Sequence, residues 1–170
     1  MSFTGFNRPS DHGKGGVLSL RLLPVSNLAS CDLNSAADAV SKLTLTSNAK
    51  FADIQFIENS ASFRQNSSGN YPLMTVTHEL AFDIARNDPN SMKTLQLISD
   101  FGKEGFVALV TLSSGTVLLA GWSPRLGSES PLIPVSLSSL SGNAPEDDPI
   151  CRISIRAKNC SFALPFVGTV

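Results

Sequence analysis

His12 and His78 are the only imidazoles in the chain, so a zinc site would have to recruit carboxylates or thiols around them. No cysteine or second histidine stands at ligand spacing from His78. It reads as a half-exposed histidine at the beginning of a strand, beside Glu79 on the opposite face. Cys31, Cys151 and Cys160 are odd in number and form no C-x-x-C pair. That is the pattern of reduced, buried thiols rather than of a redox or metal centre.

Three further stretches could carry chemistry and lack the context it needs. Gly13–Gly16, GKGG, has the composition of a phosphate loop without the G-x-x-x-x-G-K-[ST] spacing. It leads into a strand, whereas phosphate loops open a helix. Gly121–Pro124, GWSP, lacks the second glycine of a nucleophile elbow, which leaves Ser123 an ordinary loop serine. Glu146, Asp147 and Asp148 are consecutive, without the alternate spacing and closing acid of a calcium loop, and read as a solvated acidic tip. No base can be paired with a nucleophile, so neither an enzyme nor a bound cofactor or metal is expected.

The remaining charged feature is a strand face. From Ile150 to Lys158 the residues Cys151, Ile153, Ile155 and Ala157 alternate with Arg152, Ser154, Arg156 and Lys158, so one side is apolar and the other basic. Such a face is either simply solvated or a subunit contact. In the second reading Glu79, Asp83, Glu146, Asp147 and Asp148 of a neighbouring copy are suitable partners. No aromatic platform interleaves with the basic residues. Lys and Arg number 13 against 14 Asp and Glu, a net charge of -1, so no field steers the chain to nucleic acid or an anionic membrane.

These residues must be positioned by one domain, since 170 residues suffice for one core and not for two ordinary ones. Residues 1–16, polar and glycine-rich, read as a flexible arm, and residues 17–170 as a single β-rich domain. The arm carries no apolar signal-peptide core, and no run reaches membrane-spanning length, so cytoplasmic synthesis is expected. Period-two alternation predicts strands over 17–25, with Leu18, Leu20 and Leu22 on one face and Pro24 at an edge or end. Short strands are expected over 44–46 and 51–57. Residues 34–43 read as a short helix or turn, and NSSGN at 66–70 as a hairpin loop whose second arm holds Leu80, Phe82 and Ile84 on one face.

One helix is predicted over 89–101, with Asp88 as N-cap, Pro89 at the first position and Gly102 left-handed at its end. Its stripe of Met92, Leu95, Ile98 and Phe101, with Leu97 beside it, should pack on the sheet. FVALVTLSSGTVLLAGW reads as a buried hairpin around Ser113–Gly115. Residues 123–134 and 141–149 read as loops, and the segment from 134 to 140 as a poor central strand because of its prolines. The expected class is α+β: a predominantly antiparallel β-sandwich or barrel with one principal flanking helix.

The order GGVLSLRLLPVSNL, HELAFDIARND, capped helix, GFVALVTLSSGTVLLAGW and final alternating strand resembles that of prophage-encoded structural proteins of the tail-tube and related tail families, over roughly residues 15–168. The resemblance implies a sandwich or barrel flanked by a helix that covers one opening. It also implies self-association into stacking rings, with the loops 123–134 and 141–149 reaching other copies or other tail proteins. The location it implies is the cytoplasm and then a virion or tail-like particle. No shared motif carries over a residue role. With 42% hydrophobic and only 16% charged residues, the surface suits assembly, and equally a monomeric β-sandwich binding module with an aromatic-lined concavity built from Trp122, Tyr71 or some of the ten Phe.

Overall fold

Runs of leucine, valine and isoleucine at period two become strands because each can bury one face of a pleated ribbon and leave the other in water. In the computed structural model, which describes residues 15–70, 74–85, 89–142 and 147–169, these runs form two sheets. The strands are β1 (Val17–Pro24), β2 (Leu28–Leu33), β3 (Val40–Leu45), β4 (Ala52–Ile54), β5 (Ser62–Ser68) and β6 (Thr75–Ala85). Helix α1 (Pro89–Asp100) follows, and then β7 (Phe106–Leu112), β8 (Val117–Ala120), β9 (Ile133–Leu140), β10 (Ile150–Cys160) and β11 (Leu164–Thr169). The larger sheet has the order β2-β3-β11-β8-β7-β1-β4 and the smaller β5-β6-β10-β9. Every pairing is antiparallel except that of β11 with β3. The α+β class with one flanking helix therefore holds.

The main core fills the space between the sheets. Leu20, Leu22, Phe106, Ala108, Val110 and Ala120 come from the larger sheet and meet Leu80, Phe82, Ile84, Cys151, Ile153 and Ile155 of β6 and β10. Each large apolar side chain buried here is worth roughly 1.5–3 kcal/mol relative to exposure. β7 is buried on both faces, because Val107 and Leu109 join Val40, Leu43 and Leu119 in a second cluster on the far side of the larger sheet. Among the described residues, everything packed on that side belongs to the same sheet or its connecting segments, so the coiling of the sheet closes it.

Several expectations change. Leu18 is exposed: a register shift between Val17 and Ser19 takes it out of the alternation that buries Leu20 and Leu22. Pro24 does end β1, but β1 lies inside its sheet. The proline is tolerated because β4 pairs only with Leu20–Leu22 and makes no demand on its missing N–H. Residues 34–43 form a turn and the start of β3, not a helix. The Asn34 side-chain oxygen accepts from the N–H groups of Asp38 and Ala39, so hydrogen bonds of the capping type close a β2–β3 hairpin instead. Asn66, Ser67 and Ser68 belong to β5, which moves the hairpin loop beyond them, and Tyr71 lies outside the described residues.

Pro89 opens α1 as expected, while Asp88 lies outside the described residues. Gly102 sits in a 3-10 turn spanning Phe101–Lys103, and the left-handed residue is Gly105, at φ 83°. Of the apolar stripe Ile98 is buried at 3% exposure and Leu95 is partly buried, whereas Met92 at 48%, Leu97 and Phe101 are exposed. The helix lies beside the edge strand β9 rather than flat on a sheet, so only its narrow side reaches the core. Ile98→Ala should accordingly cost about 2–5 kcal/mol in urea unfolding. Met92→Ala should stay within about 0.5 kcal/mol of the parent, as surface changes do; equal losses at both would put the whole stripe in the core.

Candidate functional site

The outward residues of β10 and β6 meet because the two strands run antiparallel in a register that sets Arg152 opposite Asp83 and Arg156 opposite Glu79. Arg156 Nη2 lies 2.8 Å from Glu79 Oε1, and Arg152 Nε lies 3.6 Å from Asp83 Oδ2. Glu79 is also opposite Arg64 of β5, so it stands between two guanidinium-bearing positions. A row of small side chains, Ser62, Ala81, Ser154 and Ser136, separates the two charged rows. The carboxylates that compensate this basic face thus lie on the same chain. Pairs of this exposure are worth about 0.2–1 kcal/mol each and chiefly favour the correct register.

Lys158 is exposed near the end of β10, where the register with β6 shifts. Asp147 and Asp148 are exposed at the opposite end of the strand, and Glu146 lies outside the described residues. Gly142, at φ 81°, has no room for a side chain because Asp147 Cβ would be 2.7 Å from its Cβ. Asp147 therefore lies against the chain just beyond β9. From Asp148 to Lys158 an extended strand covers about 34 Å, several screening lengths.

His78 is fully buried rather than half-exposed. It shares parity with Leu80, Phe82 and Ile84 and so points into the interlayer core. Its Nε2 donates to the Ser161 carbonyl at 2.8 Å, and its Nδ1 accepts from the Gly121 N–H at 3.4 Å, which fixes a neutral Nε2-protonated ring. The Phe63 ring meets it edge-on, 5.7 Å between centroids. Burial holds its pKa below the ordinary histidine value, with the Ser161 carbonyl pulling partly the other way. Two residues further along that segment, Gln65 Oε1 accepts from the Ala163 N–H at 2.6 Å. Side chains of the β5–β6 hairpin thus clamp the crossover that carries the chain from the smaller sheet to the larger. With both ring nitrogens engaged by backbone groups, His78 is a structural bolt.

The other sequence candidates are equally occupied. Ser123 is buried, its Oγ accepts from the Leu126 N–H, and its backbone bonds twice with Gly127. Burial and neighbouring Asp32 push the Cys31 thiol up to about 12, far from thiolate chemistry, and Cys151 is buried. Gly16 accepts from Ser113 and leads directly into β1, while His12, Gly13 and Lys14 lie outside the described residues. Among the described residues no group of three or more His, Cys, Asp or Glu is placed to hold a metal ion. Grooves of about 460, 520 and 900 Å³ each contain one aromatic, Phe56, Phe51 and Phe56 respectively, and Trp122 packs into the second core cluster.

No protein-family model, curated protein or solved structure matches this chain. No helix among the described residues is long and apolar enough to cross a membrane.

The bolt makes stability depend on pH. Since the folded-state value of His78 lies below the ordinary 6.5, its contribution is fully present above 6.5 and is lost as pH falls from there through the lowered value. Thermal unfolding followed from pH 8 to 5 should show this loss, and His78→Gln should flatten it. At neutral pH His78→Leu should cost about 1–3 kcal/mol through the stranded Gly121 N–H and Ser161 carbonyl. An unchanged pH profile in His78→Gln would contradict the assignment.

Proposed function

We propose that this chain is a non-enzymatic structural subunit of a phage-type tail, acting by self-association into a ring or tube. The observation that carries the reading is the distribution of apolar surface. Ile133, Val135, Leu137 and Leu140 are exposed together on one strand at the sheet edge, with further exposed apolar residues at Leu18, Phe162 and Val167. Scattered apolar residues are ordinary on any surface, but an uncovered run on a sheet edge suits a contact with another chain. Among the described residues, His78 and Ser123 are meanwhile engaged in holding the fold, and the element order resembles that of tail proteins. A monomeric binding module calls for a concave aromatic surface, and the grooves above hold one aromatic each.

Light scattering over a concentration series tests this directly. The mass should rise above the 18.0 kDa of one copy as concentration increases, and electron microscopy of the associated fraction should show rings or tubes. A constant 18.0 kDa at every concentration up to millimolar would exclude the reading in favour of the monomeric module.

A further inference from the structure

The larger sheet coils until strands that are not neighbours in it border one groove. β1 and β3 are separated by β11, β8 and β7 in the sheet order. Even so, Arg21 of β1, residues 42–45 of β3 and residues 49–51 of the β3–β4 connection line a common groove of about 520 Å³. The connection is held in one shape. The Thr46 N–H donates to the Asn27 carbonyl, the Ala49 N–H donates to the Thr46 carbonyl, and Asn48 takes the left-handed conformation at φ 66°. This closed turn carries Lys50 and Phe51 to the groove.

Arg21, Lys42 and Lys50 border the groove against a single carboxylate, Asp53. That carboxylate is engaged by Arg21, whose Nε lies 3.6 Å from its Oδ1. Lys42 and Lys50 are exposed and, among the described residues, enter no ion pair; Asp32 stands opposite Lys42 in the β2–β3 register without closing one. The Thr44 hydroxyl, on the same groove, also has no hydrogen-bond partner among the described residues. Buried Leu43 and half-buried Leu45 and Phe51 supply the apolar lining. The grooves beside α1 and β1 have the opposite sign, with Asp53 the charged residue in one and Asp53 and Glu58 in the other. A positive groove in a chain of net charge -1 is therefore a local feature.

We propose that this groove binds a small phosphomonoester with an apolar body, its phosphate held by Lys42, Lys50 and the Thr44 hydroxyl and its body lying against Leu45 and Phe51. A phosphomonoester carries about -1.5 to -2 charges at pH 7 and three strong acceptor oxygens, which matches two unpaired ammonium groups and a free hydroxyl. The volume falls within the roughly 300–1,000 Å³ of small-molecule sites. A nucleic-acid strand would need a continuing basic track, whereas Asp32 and Asp53 flank the lysines. The site does not depend on the self-association reading.

Phenyl phosphate is the probe, with backbone amide chemical shifts of the whole chain followed at low ionic strength. It should shift the amides of residues 42–51 and bind at least about threefold more tightly than inorganic phosphate, because its ring buries apolar surface. Lys42→Gln/Lys50→Gln should weaken it about tenfold through the loss of two exposed ion pairs. Lys93→Gln/Lys103→Gln removes the same charge from exposed positions elsewhere and should leave the affinity unchanged. Should the first variant fail to fold, Lys50→Gln alone changes one exposed residue and should weaken binding about threefold. No binding by the parent up to about 10 mM, shifts confined to other residues, or equal affinity for inorganic phosphate overturns the proposal. So does a folded Lys42 and Lys50 variant that binds like the parent, or equal weakening by the Lys93 and Lys103 variant.

Discussion

The pairing of β6 with β10 is the constraint on which the rest of the structure depends. Two eleven-residue strands, far apart in sequence, lock into one register over most of their length. Because side chains alternate with period two, that single register puts Leu80, Phe82, Ile84, Cys151, Ile153 and Ile155 into the core and sets Glu79 and Asp83 against Arg156 and Arg152 outside. A slip of either strand by one residue would turn its two paired charges inward and its three core residues outward, so the ion pairs need contribute little individually to make the register unambiguous. β5 and β9 hang on this pair, one on each side, and β9 is consequently an edge.

The two sheets are then tied by polar contacts that apolar packing alone would not supply. His78 reaches from β6 to Gly121, just beyond β8, and to Ser161 in the crossover towards β11. Close backbone approach is needed just beyond β8 and within β11. A Cβ on Gly121, at φ 81°, would lie 2.6 Å from the Phe106 carbonyl, and one on Gly168 would fall onto the carbonyl of Ser41. Gly168 is thus what lets β11 run parallel beside β3 and close the second core cluster.

The parts legible in the sequence are those where one local rule decides the outcome. Alternation marked β6 and β10 and, beyond Leu18, β1, an apolar run buried on both faces marked β7, and Pro89 marked the start of α1. β2 and β11 were not legible. LASCDL has no clean alternation, and LPFVGT contains a proline and a glycine whose place is decided only by the neighbouring strand. Asn34 carries the same signal in a turn as in a helix cap, and tertiary context chose the turn. For His78 the parity with Leu80 was available in the sequence and pointed inward, but its two backbone partners lie in distant segments. The basic face of β10 was legible as a face, whereas its acidic partners on the same chain follow from a long-range pairing that no local pattern reveals.

An account in which strand pairing both builds the domain and leaves one uncharged edge makes a specific claim about backbone amides. Hydrogen exchange on the unmodified protein, at a dilute and a concentrated condition, measures it strand by strand. β6 and β10 should be the most protected strands, with the edge strands β5 and β9 exchanging faster when the protein is dilute. Fast exchange of β6 and β10 when dilute would contradict the account.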